Sequence, residues 1–144
     1  AGKSVEEAIL EIKLPEELAN LLQLQESYGR IDWSIRGIYQ REKGWYDGYG
    51  TGLNPLPEIY KAQEFVKLSG GVDKILLRAI ELQKKGVHQL VCELCDIVIA
   101  ANPAEQLARI IKSHSLDYMS LSGNGNMIGF YRSAASLERK AVGD

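Results

Sequence analysis

Strand patterning, disulfide-forming cysteine, long apolar runs and any excess of charge are all missing from this sequence, and each absence removes a class of protein. No stretch alternates apolar and polar residues over a useful length, so strands are not expected. Two cysteines set no disulfide framework, and Cys92 and Cys95 lie too close along one helical pattern to bridge each other well. No apolar run approaches the roughly 18 residues of a membrane-spanning helix. With 17 basic and 19 acidic residues the net charge is −2, which gives no electrostatic case for nucleic acid or an acidic membrane as partner. The start, Ala1-Gly2-Lys3-Ser4-Val5-Glu6-Glu7, places acids where the apolar core of a signal peptide would stand, and it has no initiator methionine. The expectation is a chain processed, trimmed or cut from something longer, with its compartment left open.

What is present is helical patterning on both sides of one unusual stretch. Gly44-Trp45-Tyr46-Asp47-Gly48 runs on to Leu53-Asn54-Pro55-Leu56-Pro57, packing aromatics and an acid between glycines and closing on two prolines. Glycines permit several turns here, and Pro55 and Pro57 hold the exit extended. Disordered segments are poor in aromatics, so the stretch reads as an ordered loop whose side chains dock on something.

Upstream, the Ser4/Glu7 spacing is that of a capping box and opens a short helix through Ile9 and Ile12. Pro15 starts a second, expected to run to about Leu24. After a break at Tyr28-Gly29, Asp32 or Ser34 caps a helix whose apolar face is Trp33, Ile35, Ile38 and Tyr39. Downstream, Pro57 begins a helix carrying Ile59, Ala62, Phe65, Val66 and Leu68, and Gly70-Gly71 stops it. A helix over 73–85 presents Ile75, Leu76, Ala79, Ile80 and Leu82, with Gly86 as the residue just past its end. Another over 87–101 turns Leu90, Val91, Leu94, Cys95, Val98 and Ile99 inward. Asn102-Pro103 seeds one over 104–121, Ser122 to Asn126 is a turn-rich break, and a short last helix passes through Ala134, Ala135 and Leu137. The class is all-α: a helical bundle with one tetratricopeptide-like hairpin, whose spacing from Gly86 to Pro103 has Val91 and Val98 between. One domain is expected over 1–144, with N-terminal helices in 1–27 and a helix plus the Trp-Tyr-Asp-Gly loop in 28–57. Helical hairpins fill 58–122, and a tail with a short helix fills 123–144.

Tyr28-Gly29, Trp33-Ser34-Ile35-Arg36, Gly44-Trp45-Tyr46-Asp47-Gly48, Leu56-Pro57, Gly70-Gly71, the Gly86 hairpin and Phe130-Tyr131 fall in the order of a known family and nearly at its spacing. The chain resembles the dimerisation domain of alkyl sulfatases, zinc hydrolases built on a metallo-β-lactamase fold, from about Ser4 to about Arg139. The resemblance implies a middle helical domain that pairs subunits and closes one side of the substrate pocket. In that family a separate N-terminal domain holds two zinc ions, and a sterol-carrier-like domain often follows. It marks Trp33, Arg36, Gly44, Trp45, Asp47, Gly48, Pro57, Gly86 and Pro103 as motif or structural positions. Tyr46 matches the tyrosine the family brings toward substrate, and Tyr131 and Arg132 are the other pocket candidates. Two departures stand out. Ile128 occupies the place of an arginine that would face the sulfate, with Arg132 four residues on. Arg41-Glu42-Lys43 replaces mostly apolar and aromatic residues, as on a surface the family covers and this chain leaves wet.

The plain readings of these residues compete with the functional ones. His88 and His114 are the only histidines, too few for a two-zinc cluster, so no metal, cofactor or catalytic residue is expected in this chain alone. His88, Cys92 and Cys95 share a helical face, but burial of one cysteine as a small hydrophobe is the favoured reading. Trp45 is expected to plug the domain's own core while Asp47 caps a turn; Tyr46 leans toward function on the family match. Asp32 and Arg36 are read as a surface ion pair worth roughly 0.3–0.5 kcal/mol. The glycine–asparagine run at 123–126 is read as a plain loop.

Three functions remain open at this stage. The chain is a dimerisation domain inactive alone, a pocket-completing part of an alkyl sulfate hydrolase whose zinc domain sits elsewhere in cis or in trans, or a tetratricopeptide-like peptide adaptor. Homodimerisation is expected, through an apolar face on the early helices that carries Leu18, Leu21, Leu22 and Leu24.

Overall fold

A computed structural model describes residues 2–46 and 48–143. Among them the chain is all-α, with no strand. Contacts divide it into two compact units, Ala1–Pro55 and Leu56–Asp144.

In the first unit α1 (Val5–Glu11) opens on the expected capping box: the Ser4 hydroxyl accepts from the Glu7 N–H, and the Ser4 N–H donates to the Glu7 carboxylate at 2.8 Å. The second helix is far shorter than its sequence suggested. α2 spans only Glu16–Ala19, and a separate 3-10 turn covers Leu22–Leu24. Short helices need tertiary support. No residue of α2 or of the 3-10 turn is buried, and the Gln25 amide takes the Ala19 and Leu21 carbonyls at 2.8 and 3.2 Å. α3 (Ile31–Lys43) starts before either expected cap. The Glu26 carboxylate accepts the Ile31 N–H at 2.7 Å, so Asp32 and Ser34 fall inside the first turn. The anticipated Asp32–Arg36 pair does not form. α1 packs on α3, and this brings Glu6 to the Arg36 guanidinium at 2.7 Å while Asp32 takes Arg30 at 2.8 Å. A 3-10 turn at Gly50–Leu53 follows.

No described residue of this unit is buried. Leu22 is 85% exposed, and Leu10, Ile38, Tyr49 and Leu53 are each more than half exposed.

The second unit holds the core. It comprises α4 (Glu58–Leu68), α5 (Val72–Lys84), α6 (His88–Ala101), α7 (Gln106–Met119) and α8 (Gly125–Ala141). α6 packs against α4, α5 and α7, and α7 against α8. Ile75, Leu76, Ala79 and Leu82 of α5 meet Val91, Cys95 and Val98 of α6 and Ala108 and Ile111 of α7. Each large side chain among these stabilises the fold by about 1.5–3 kcal/mol. A smaller cluster joins Cys92, Leu116 and Ala135. Leu90, expected inward, is exposed because Val91 one position on takes the contact with α5. On α4 only Ala62 is buried; Ile59, Phe65 and Leu68 face out.

Glycine closes α4 and α5 in the same way. Gly86 (φ 76°) lets the Val87 N–H reach the Leu82 carbonyl and the Gly86 N–H the Gln83 carbonyl, both at 3.0 Å. The last helix is not short. Asn124 accepts the Met127 N–H at 2.9 Å, so α8 begins inside the glycine–asparagine run and extends for 17 residues.

Candidate functional site

Gly44 ends α3 with φ 77°, and the chain turns back so that Trp45 and Tyr46 return along the helix they have just left. Together with Arg36, Tyr39 and Gln40 of α3 and Val5 of α1 they bound a pocket of about 300 Å³. The Trp45 and Tyr46 rings tilt against each other with centroids 5.8 Å apart. Tyr39 donates its hydroxyl to the Lys3 carbonyl at 3.3 Å, which ties the strand of chain before α1 to the pocket's side. Among the described lining residues Arg36 alone carries a formal charge, and Glu6 holds it in a two-pronged ion pair at 2.7 and 3.2 Å. The result is an aromatic wall with a guanidinium at its edge. Such a wall accepts an apolar or planar group and offers a donor to an anion.

Trp45 is 74% exposed, which overturns its reading as a core plug. The first unit encloses no interior for the ring to fill, so the indole lies on the wall of an open pocket. Asp47, expected to cap a turn, lies outside the described residues. Gly48 has φ 91°, a region that favours glycine. Trp33 is exposed on α3.

In the second unit Tyr131, Arg132 and Ile128 all lie on α8. Tyr131 packs half-buried against the cluster of Cys92, Leu116 and Ala135. Its ring therefore does packing work whatever else it does. Arg132 is exposed, and it stands four residues beyond half-buried Ile128, one turn along the same face. Pro57 is the capping residue before α4, and the Pro103 carbonyl accepts from the Arg109 guanidinium at 2.9 Å.

The His88–Cys92–Cys95 face does not converge. His88 stacks on Tyr118 with centroids 4.0 Å apart, and its Nδ1 lies 3.4 Å from the Ser115 hydroxyl. Cys92 packs in one cluster and Cys95 in the other, so both cysteines are buried rather than one. Burial pushes the Cys92 thiol up to about 11 and Cys95 up to about 12. Both are protonated at neutral pH, the wrong state for a ligand or a nucleophile. Among the described residues no three histidine, cysteine or acidic side chains stand together as a metal site. With His88 engaged and His114 exposed on α7, the donor set does not fit a zinc centre.

Sequence reasoning missed a charged network in the second unit. Glu138 of α8 accepts from Arg109 and Lys112 of α7, each at 2.6 Å, and Lys112 also meets Asp96 of α6. Only the spacing of Arg109 and Lys112 on one helix face hinted at it; nothing in the sequence named their partner.

The model of the alkyl sulfatase dimerisation family matches residues 4–141. The chain belongs to that family. This dimerisation domain is 38% identical to a linear primary-alkylsulfatase of Pseudomonas sp. (strain ATCC 19151), over 99% of its own length and 28% of the relative's. It is 29% identical to an (R)-specific secondary-alkylsulfatase of Pseudomonas sp., over 82% of its length and 18% of the other's. Among solved structures it superposes on a stereoselective inverting sec-alkylsulfatase, Pisa1 from Pseudomonas sp.. There the TM-score is 0.88 at 27% identity, covering 96% of this chain and 22% of that one. The domain therefore spans about a quarter or less of the curated relatives it matches.

Proposed function

We propose that this dimerisation domain pairs with a second copy of itself through its first unit and breaks no bond by itself. The observation that carries the reading is the first unit's composition: apolar side chains are abundant and none of those described is buried. Exposed apolar surface in that amount supports reading the unit as an interaction site. Burying each leucine-sized side chain against a partner is worth about 1.5–3 kcal/mol, so a few such side chains offset the freedom lost on association. A stable pairing needs at least about 1,000 Å² in total.

Joined to a metallo-β-lactamase-type domain, in cis or in trans, the domain offers side chains to an alkyl sulfate. Tyr46 is the candidate in the first unit, and Tyr131 and Arg132 are the candidates in the second. The zinc belongs to that other domain and would activate the water and polarise the ester there. Support for Tyr46 comes from its place on the wall of the aromatic pocket beside Arg36.

Sedimentation velocity over a micromolar range tests the pairing. The expected result is a species of twice the 16.0 kDa chain mass that dissociates on dilution. Leu10→Asp with Leu22→Asp should shift it to monomer, since both side chains are exposed in the single chain. A monomer at every concentration, or a dimer indifferent to that double variant, would overturn the assignment.

A further inference from the structure

Two faces of α7 are taken up inside the second unit. Ala108 and Ile111 enter the main core. Leu116 joins Cys92 and Ala135, and Arg109 and Lys112 hold Glu138 of α8. The third face is open. Leu107, Ile110, His114 and Tyr118 stand exposed along it, and exposed Leu121 extends it past the helix end, where its N–H donates to the Tyr118 carbonyl at 3.1 Å. We propose that this face is a second self-contact, in which α7 lies antiparallel on α7 of another copy with the two His114 side chains opposite each other.

Three observations lead there. First, the steps between the five positions are 3, 4, 4 and 3 residues. Their mean matches the 3.5-residue repeat that keeps a seam of side chains facing a partner helix. The order also reads alike from either end: His114 is central, Ile110 and Tyr118 lie four residues to either side, and Leu107 and Leu121 lie seven. An antiparallel copy therefore sets leucine against leucine and Ile110 against Tyr118. A two-fold contact requires self-complementarity of this kind, and the stripe has it in its own spacing.

Second, none of the five side chains carries a formal charge while His114 is neutral. The one polar group sits on the two-fold axis, where one imidazole can donate to the other. A single polar residue within an apolar seam fixes register, because a slip of one turn buries it against leucine.

Third, Tyr118 is held in place from beneath. Its ring is 58% exposed, yet it stacks on His88 with centroids 4.0 Å apart. His88 in turn lies beside the hydroxyl of buried Ser115, which accepts from the Gln83 amide at 2.8 Å. A network rooted in the core thus fixes an exposed aromatic, and a fixed aromatic loses little freedom on becoming an interface anchor.

The 14 residues of α7 make a helix about 21 Å long. One helix pair of that length falls short of the roughly 1,000 Å² of a stable interface. The seam therefore links chains weakly, and joins pairs made by the first unit as concentration rises. Its own residues lie wholly in the second unit, so it does not rest on that other pairing.

Disulfide trapping in the full chain, with oxidised glutathione, tests the seam. Cys92 and Cys95 are buried and protonated at neutral pH, which keeps them out of the exchange. A bridge needs Cα atoms within about 7 Å, so only positions that face each other will form one. His114→Cys should link to its own copy at least about tenfold faster than Glu64→Cys, an exposed control on α4. Leu107→Cys alone and Leu121→Cys alone should behave like the control, and a mixture of the two should bridge. Rapid self-bridging of Leu107→Cys would mean a parallel contact, and a His114→Cys rate equal to the control would mean no seam; either result overturns the proposal. The unaltered protein supplies a readout that depends on no variant: the Ile110 and Leu121 methyl resonances should shift between micromolar and millimolar concentration, and constancy there also counts against it. Repeating the trapping with Leu10→Asp and Leu22→Asp present separates the two contacts. The sedimenting dimer should be lost while the order of bridging rates persists, and disappearance of the His114→Cys bridge in that background would show that α7 makes no contact of its own.

Discussion

Glu138 restrains two cations at once, and its behaviour is the most sensitive residue-level test of the second unit. Burial works to raise its carboxyl, but hydrogen bonds from Lys112 and Arg109 outweigh that and hold it below the usual carboxylate range. For Lys112 burial works downward, and the bonds to Asp96 and Glu138 leave the ammonium raised. A depressed carboxyl stabilises the fold fully above its unfolded value, about 4.3, and that gain is lost as pH falls through the folded value. The raised ammonium acts in the opposite direction, with its contribution complete below about 10.4 and lost as pH rises through its folded value. Both contributions are therefore present at neutral pH. Glu138→Gln leaves Arg109 and Lys112 short of a partner and should cost about 2–3 kcal/mol at pH 7, less than a fully buried pair because Asp96 still holds Lys112. Urea titrations at several pH values check it. The gap between variant and parent should begin to narrow as the pH drops below the unfolded carboxyl's value of about 4.3, and close only below the lower folded value, where the parent's carboxylate is itself protonated. At this same scale the candidate site was only half legible. Tyr46 was marked by its family motif, whereas the open position of Trp45 was not, because an aromatic between glycines reads alike whether it fills a core or walls a pocket.

Helix ends followed local rules where the capping residue lay within a few positions, and departed from them where the cap came from further away. Ser4 with Glu7 and Gly86 after α5 were readable because the partners are close in sequence. Glu26 capping α3 from before the Tyr28-Gly29 break was not, nor was the Gln25 amide that closes the α2 region. Two glycines in the second unit give opposite predictions. At Gly86 a Cβ would meet nothing within 4 Å, so the cost of Gly86→Ala is backbone strain alone, about 1–2 kcal/mol for a left-handed alanine. Gly129 also has open space around a Cβ, but it lies inside α8 with helical backbone. Gly129→Ala should stabilise by about 0.5–1 kcal/mol. Chemical denaturation of the two variants reads both signs; a stabilising Gly86→Ala would show that the turn is not held left-handed in solution.

Taken as a whole, the molecule divides its labour unevenly between a unit with a core and a unit without one. Residues 56–144 carry both buried clusters and five packed helices. Produced alone, they should keep their helicity and melt cooperatively. Residues 1–55 alone should show little helix by circular dichroism when dilute, because short helices without buried contacts are marginal in water. A cooperative melt of the isolated first segment would refute that division. The sequence by itself determined the all-helical class, the breaks at Gly44, Gly70 and Gly86, and the family, since periodicity, glycine punctuation and a specific aromatic motif are all local. Tertiary structure decided which apolar faces are covered and which charges meet. Arg36 finds Glu6 across 30 positions and Arg109 finds Glu138 across 29, pairings set by helix packing. Periodicity shows that a face is apolar. Only the packed chain shows that α5 and α6 cover each other's faces, while those of the early helices stay open.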